Sequence, residues 1–130
     1  QAPAAIARLG ERGIHRAAGA RMADEQPGLH ALYQAVDRLS LGLDKNEIGN
    51  RIRAMRKRGR EDAARIACPA LFVIGEEDLL ICPRGIELVA SEFPHARTVR
   101  VPVSGHSVYF ERAAIFNACV EQFLAEIGWQ

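Results

Sequence analysis

The sequence predicts an α/β fold with a pair of parallel strands and flanking helices, and three observations lead there. Residues 70–74 are a short continuous apolar run ending at Gly75, between Pro69 and the acidic turn Glu76-Glu77-Asp78. Such a run reads as a strand buried on both faces. Residues 98–101 form a second, shorter strand, and a helical stretch bracketed by Pro83 and Pro94 lies between the two. Strand–helix–strand followed by a final helix implies a parallel pair with a right-handed crossover.

The helices follow from spacing and punctuation. Pro83 suits a first helical turn, and Ile86, Val89, Ala90 and Phe93 follow at helical intervals until Pro94 stops them. Phe116, Cys119, Val120, Phe123, Leu124 and Ile127 form one stripe of the last helix. The composition changes near residue 66. Upstream, residues 4–20 read as a helix carrying Ile6, Leu9 and Ile14, weakened by Gly10, Gly13 and Gly19. Pro27 opens a second helix running to about Ser40, striped by Leu29, Leu32, Tyr33, Val36 and Leu39. Gly42 ends it. Asp44 opens a third, with Glu47 as capping-box partner and Ile48, Ile52 and Met55 as its apolar residues. Stripes of this kind usually mark core, so Tyr33, Leu39 and Met55 are expected to pack inside the helical segment rather than line a pocket.

Composition narrows the function classes. The chain has 130 residues, 48% hydrophobic and 25% charged, which are globular proportions. A net charge of +1 gives no general reason to bind nucleic acid. The basic run Arg51, Arg53, Arg56, Lys57, Arg58 and Arg60 is expected to be a solvated helix face. No apolar stretch approaches the roughly 18 residues of a membrane span, so no membrane partner is expected. Cys68, Cys82 and Cys119 match no metal-binding or paired spacing. They read as reduced thiols of a cytoplasmic protein, with Cys119 in the core. The chain starts with Gln1 inside a helical pattern, and a parallel pair of strands ordinarily belongs to a larger covered sheet. Both features lead to the expectation of further chain.

Two loops carry candidate chemistry. Glu76-Glu77-Asp78 follows the first strand, and Ser104-Gly105-His106-Ser107 follows the second. In a parallel sheet both lie at the C-terminal edge, where open α/β sheets place their binding crevices. A carboxylate and an imidazole from neighbouring strand ends can meet there. The acid fixes the histidine tautomer, and the other ring nitrogen is left to take a proton from a nucleophile. Asp is also a common turn residue, and Glu76 and Glu77 are rival acids. Ser104 and Ser107 are expected to hydrogen-bond the loop backbone. His15, His30 and His95 lack comparable surroundings, and His95 reads as a solvent-facing turn residue.

The stretch Cys68-Pro69-Ala70-Leu71-Phe72-Val73-Ile74-Gly75-Glu76-Glu77-Asp78, with Pro83, Val101-Pro102-Val103-Ser104-Gly105-His106-Ser107, Glu111, Phe116-Asn117 and Phe123-Leu124, resembles the C-terminal portion of an α/β-hydrolase. The resemblance covers about the last half of the chain. It implies that the Gly-x-x-Asp turn supplies the acid of a catalytic triad, Asp78, and the Gly-His turn its base, His106. It also implies a helical cap and return helix over residues 1–65 and the end of the hydrolase core over residues 66–130. The expected activity is hydrolysis of a small ester, lactone or similar carbonyl substrate. No metal or organic cofactor is implied. Ser40, Ser91, Ser104 and Ser107 do not stand in the family's Gly-x-Ser-x-Gly elbow, so the nucleophile is expected from a missing N-terminal part of the fold or a partner subunit. An Asp nucleophile would imply a dehalogenase or epoxide hydrolase instead. A different class of function is a non-catalytic remnant or interaction module that buries its sheet edge against another subunit.

Overall fold

The computed structural model describes residues 2–40, 42–57 and 59–129, with the side chains of Ala2 and Arg60 left aside. Arg58 of the basic run and the initial Gln1 therefore lie outside the described residues. Helix α1 spans Ala2–Glu11, α2 Met22–Glu25, α3 Pro27–Arg38, α4 Lys45–Met55 and α5 Arg60–Ala64. Strand β1 (Ala70–Gly75), helix α6 (Pro83–Ala90), strand β2 (Ala96–Val101) and helices α7 (Val108–Glu111) and α8 (Ala113–Glu126) complete the chain. The structure is thus a small α/β one, a parallel pair of strands with flanking helices.

The strands pair in parallel from Ala70 opposite Ala96 to Gly75 opposite Val101, so both turn loops leave the same edge. Phe93, just past α6, meets Phe72 of β1 edge to face with ring centroids 5.1 Å apart. The outward Arg100 of β2 bonds Glu76 and Glu87, which ties β2 to the β1 turn and to α6. β1 is less buried than its composition implies. Ile74 and Gly75 are buried, whereas residues 70–73 are half-buried, because a strand pair leaves part of each strand without a neighbour. Cys119 is likewise half-buried rather than core, on a helix with no buried residue. All three cysteines are free.

The N-terminal helices depart further from their pattern. The expected helix over residues 4–20 stops at Glu11, because Gly13 takes a left-handed conformation with φ 68°. Residues 12–21 then run as turns that bury Ile14, Ala17 and Ala18. The core cluster of Leu9, Ile14, Ala18 and Met22 packs against Leu29 and Tyr33 upstream and Leu79 and Phe110 downstream. The core therefore joins the two halves of the sequence. Asp44 caps α4 as expected, its Oδ1 accepting from the N–H groups of Asn46 and Glu47 at 2.9 and 3.0 Å. Of the α3 stripe only Leu29 and Tyr33 reach the core, and the stripe of α4 does not reach it. Leu39 is 74% and Met55 76% exposed, and Leu32, Val36, Ile48 and Ile52 are also exposed. Periodicity identified these stripes, but no described element covers their exposed residues. Arg51, Arg53, Arg56 and Lys57 are exposed on the same helix and just past it.

Ile74 is fully buried at the strand end that launches the Asp78 turn. Ile74→Ala is expected to lower unfolding free energy by about 2–5 kcal/mol in urea titrations. A change below about 0.5 kcal/mol, the range of ordinary surface substitutions, would show that this strand end is not core.

Candidate active site

Asp78 sits in the turn directly after β1 and is 6% exposed. Its own N–H donates to the Gly75 carbonyl at 3.2 Å, closing the turn. Oδ1 accepts from the N–H groups of Leu80 and Ile81 at 2.8 and 3.0 Å, an Asx-type arrangement that fixes the carboxylate plane. Oδ2 is left for His106, whose Nδ1 lies 2.8 Å away. The structure therefore brings the two predicted site residues together, across loops from neighbouring strands. The rival acids point elsewhere: Glu76 pairs with Arg100, and Glu77 turns inward.

His106 is held from both sides. Ser104, fully buried, donates from Oγ to the Val101 carbonyl at 2.9 Å. Gly105 N–H donates to Glu111 Oε1 at 3.0 Å, and Ser107 N–H donates to the Ala17 carbonyl at 3.2 Å. Val103, three residues earlier, has φ 53°. A β-branched residue in that region costs on the order of 1–3 kcal/mol, which the surrounding bonds must offset. The imidazole itself remains 40% exposed. An imidazole that donates from Nδ1 to Asp78 keeps Nε2 free as a proton acceptor.

The helical segment reaches this loop through Tyr33, which its place in the α3 stripe favours as core over pocket lining. Tyr33 of α3, between the rings of His15 and Phe110, shares a 2.7 Å hydrogen bond with Ser107 Oγ. Ser104 thus bonds the loop backbone as expected, whereas the Ser107 hydroxyl bonds a side chain of α3. Burial pushes the Tyr33 phenol above its usual value, against the lowering effect of the Ser107 bond. His30, buried, accepts from the His15 N–H at 3.1 Å through Nε2. His15 in turn accepts from the Ala17 N–H through Nδ1 and faces Asp37 with Nε2 at 3.5 Å. Burial lowers the His15 pKa despite that carboxylate. Both histidines brace the 12–21 turn, and no sequence motif announced them. His95 is exposed, as read.

A cavity of about 800 Å³ opens beside Asp78, between Ala4, Ala5 and Arg8 of α1 and the Leu79–Leu80 and Cys82–Pro83 stretches. Its walls are mainly apolar, and His106 is not part of them. Among the described residues, no group of three His, Cys, Asp or Glu side chains is placed to hold a metal ion. No helix of these residues is long and apolar enough to cross a membrane.

Two solved structures share this architecture. A thermophilic esterase from Thermogutta terrifontis (malate bound) superposes with a TM-score of 0.54 at 23% identity, over 57% of this chain and 27% of its own, a likeness that shows the fold alone. An enzyme described as degrading N-acyl homoserine lactone superposes with a TM-score of 0.66 at 25% identity, over 94% of this chain and 50% of its own. The chain therefore spans half or less of the length of each. No family model and no curated protein sequence matches it.

Two measurements test the geometry. In 15N spectra, neutral His106 is expected to carry its proton on Nδ1, and Asp78→Asn to spread it over both nitrogens; an Nε2-protonated ring in the unsubstituted chain contradicts the pairing. Because the Tyr33 pKa is raised in the folded state, its contribution is present below about pH 10 and lost as pH rises beyond it. Tyr33→Phe is expected to cost about 1 kcal/mol at neutral pH and to flatten the alkaline limb of the stability–pH curve. An unchanged alkaline limb would remove Tyr33 as its source.

Proposed function

We propose that this chain is the C-terminal portion of an α/β-hydrolase that cleaves an ester, lactone or similar small carbonyl substrate through a nucleophile–acid–histidine triad. The observation that carries the reading is the division of labour at Asp78. One carboxylate oxygen is fixed by backbone N–H groups, and the other meets His106 Nδ1 at 2.8 Å. That is the orientation needed for His106 Nε2 to take the proton of an attacking hydroxyl. Asp78 then stabilises the imidazolium. The imidazolium returns the proton to the leaving oxygen, and the neutral ring next deprotonates the water that releases the acyl group.

Residues 1–65 act as cap and return helix, and residues 66–130 as the end of the core sheet. The nucleophile comes from a preceding part of the fold or from a partner subunit. The apolar walls beside Asp78, from Ala4, Ala5, Leu79 and Leu80, suit the hydrocarbon part of a small substrate. The lactone-degrading neighbour supports a lactone or related ester over halide or epoxide substrates.

The exposed apolar residues of α3 and α4 favour a second reading, an interaction module that covers them with another subunit. Sedimentation of the purified chain separates the two. A stable oligomer of defined size supports the module, and aggregation or unfolding supports a part of a larger fold.

The direct test reads the coding DNA upstream of the Gln1 codon and assays the encoded protein on p-nitrophenyl esters and N-acyl homoserine lactones. An in-frame Gly-x-Ser-x-Gly elbow is expected. In that protein Asp78→Asn is expected to lower kcat about 10⁴-fold. Turnover that survives both Asp78→Asn and His106→Ala sinks the proposal.

A further inference from the structure

We infer that Glu111 is a positioning residue for His106, clamping the peptide before the imidazole to the N-terminal segment through its two carboxylate oxygens. The inference rests on the reading of His106 as the base.

Glu111 closes the single turn α7 and is 4% exposed. Its Oε1 accepts from Gly105 N–H at 3.0 Å, and its Oε2 accepts from Gly19 N–H at 2.9 Å. These donors are 86 residues apart in number, one in the turn before α2 and the other directly before His106. Buried N–H groups need acceptors, and a planar ionised carboxylate serves two at once. Anchoring Gly105 on Glu111 and Ser107 on the Ala17 carbonyl leaves His106 between fixed peptides. The ring can then hold its 2.8 Å bond to Asp78 without sampling other rotamers.

A second carboxylate converges on the same point. A Cβ placed on Gly19 would lie 2.9 Å from Glu111 Oε2 and 3.2 Å from Glu77 Oε2. Glu77 Oε2 is buried and has no hydrogen-bond partner. Burial raises the Glu111 pKa most. The N–H groups of Gly19 and Gly105 and the charge of Arg112 oppose that shift, and Glu77 adds to it. The clamp is therefore an anion held against its surroundings by two peptide N–H groups, and acidification weakens it by protonating an acceptor.

The test uses NMR of the complete protein encoded by the gene, with Glu111→Gln. Glutamine offers one acceptor oxygen and turns a donor toward the other N–H. The expected result is a folded chain, with β1 and β2 amide signals in place, in which His106 Nδ1–H exchanges with water about tenfold faster, as for a lost hydrogen bond to a charged group. In the unsubstituted chain, Gly19 and Gly105 amide shifts are expected to titrate together, with a midpoint raised from that of an ordinary glutamate. An unchanged Nδ1–H exchange rate in a folded Glu111→Gln chain overturns the inference. If that variant does not fold, Glu111→Asp carries the same readouts, and failure of both to fold assigns Glu111 a purely structural role and overturns positioning. An unsubstituted chain with His106 protonated on Nε2 defeats the base reading instead, so the two failures are distinguishable.

Discussion

Three glycines set how closely the parts of this molecule approach. A Cβ on Gly75 would overlap the carbonyls of Gly105 and Ser104. A Cβ on Gly105 would overlap the backbone of Gly19 and Ala18, and one on Gly19 would press on Glu111 and on Gly105 N. The end of β1, the His106 loop and the N-terminal turn are therefore stacked backbone on backbone. The polar contacts between the loops of the site depend on this closeness. Asp78 reaches His106 only because the loops after β1 and β2 touch. Glu111 reaches Gly19 only because nothing larger than hydrogen stands between them.

Parts of this arrangement were legible in the sequence, for identifiable reasons. The β1 run, the Pro83 helix start and the Pro94 stop are local signals, and each element formed within a few residues of its expected place. The meeting of Asp78 and His106 was also legible, since parallel strands put both loops at one edge. Gly19 was not. Sequence reading treats an isolated glycine in an apolar segment as a weakened helix, whereas here it is a contact point whose partners include Gly105 and Glu111, more than 80 residues away. Glu111 stood among the residues of the family resemblance without a role, because a buried carboxylate is recognisable only once its amide partners are in place. The stripes of α3 and α4 were read correctly as periodic, but as core only Leu29 and Tyr33 hold, whereas Leu32, Val36, Leu39, Ile48, Ile52 and Met55 are exposed. Period tells which residues share a face, not what covers that face.

The two buried carboxylates show how environment separates identical chemistry. Asp78 is surrounded by donors and keeps one oxygen for an exposed imidazole. Glu111 spends both oxygens on peptide N–H groups and shares its surroundings with the orphaned Glu77 oxygen. Charge at Asp78 is directed outward to a group that can cycle its proton. Charge at Glu111 is directed inward, where it fixes geometry.

The core shared by the two halves of the sequence has a consequence for covalent continuity. Leu9, Ile14, Ala18 and Met22 pack with Leu79 and Phe110, and Gln26, Tyr33 and Glu25 bond Glu111, Ser107 and Arg112. The stretch joining the halves carries Arg56, Lys57 and Arg65, all exposed. A protease that cuts after basic residues would open the chain there without touching any of these contacts. The two pieces would stay together as a nicked complex, held by packing and hydrogen bonds rather than by the peptide between them.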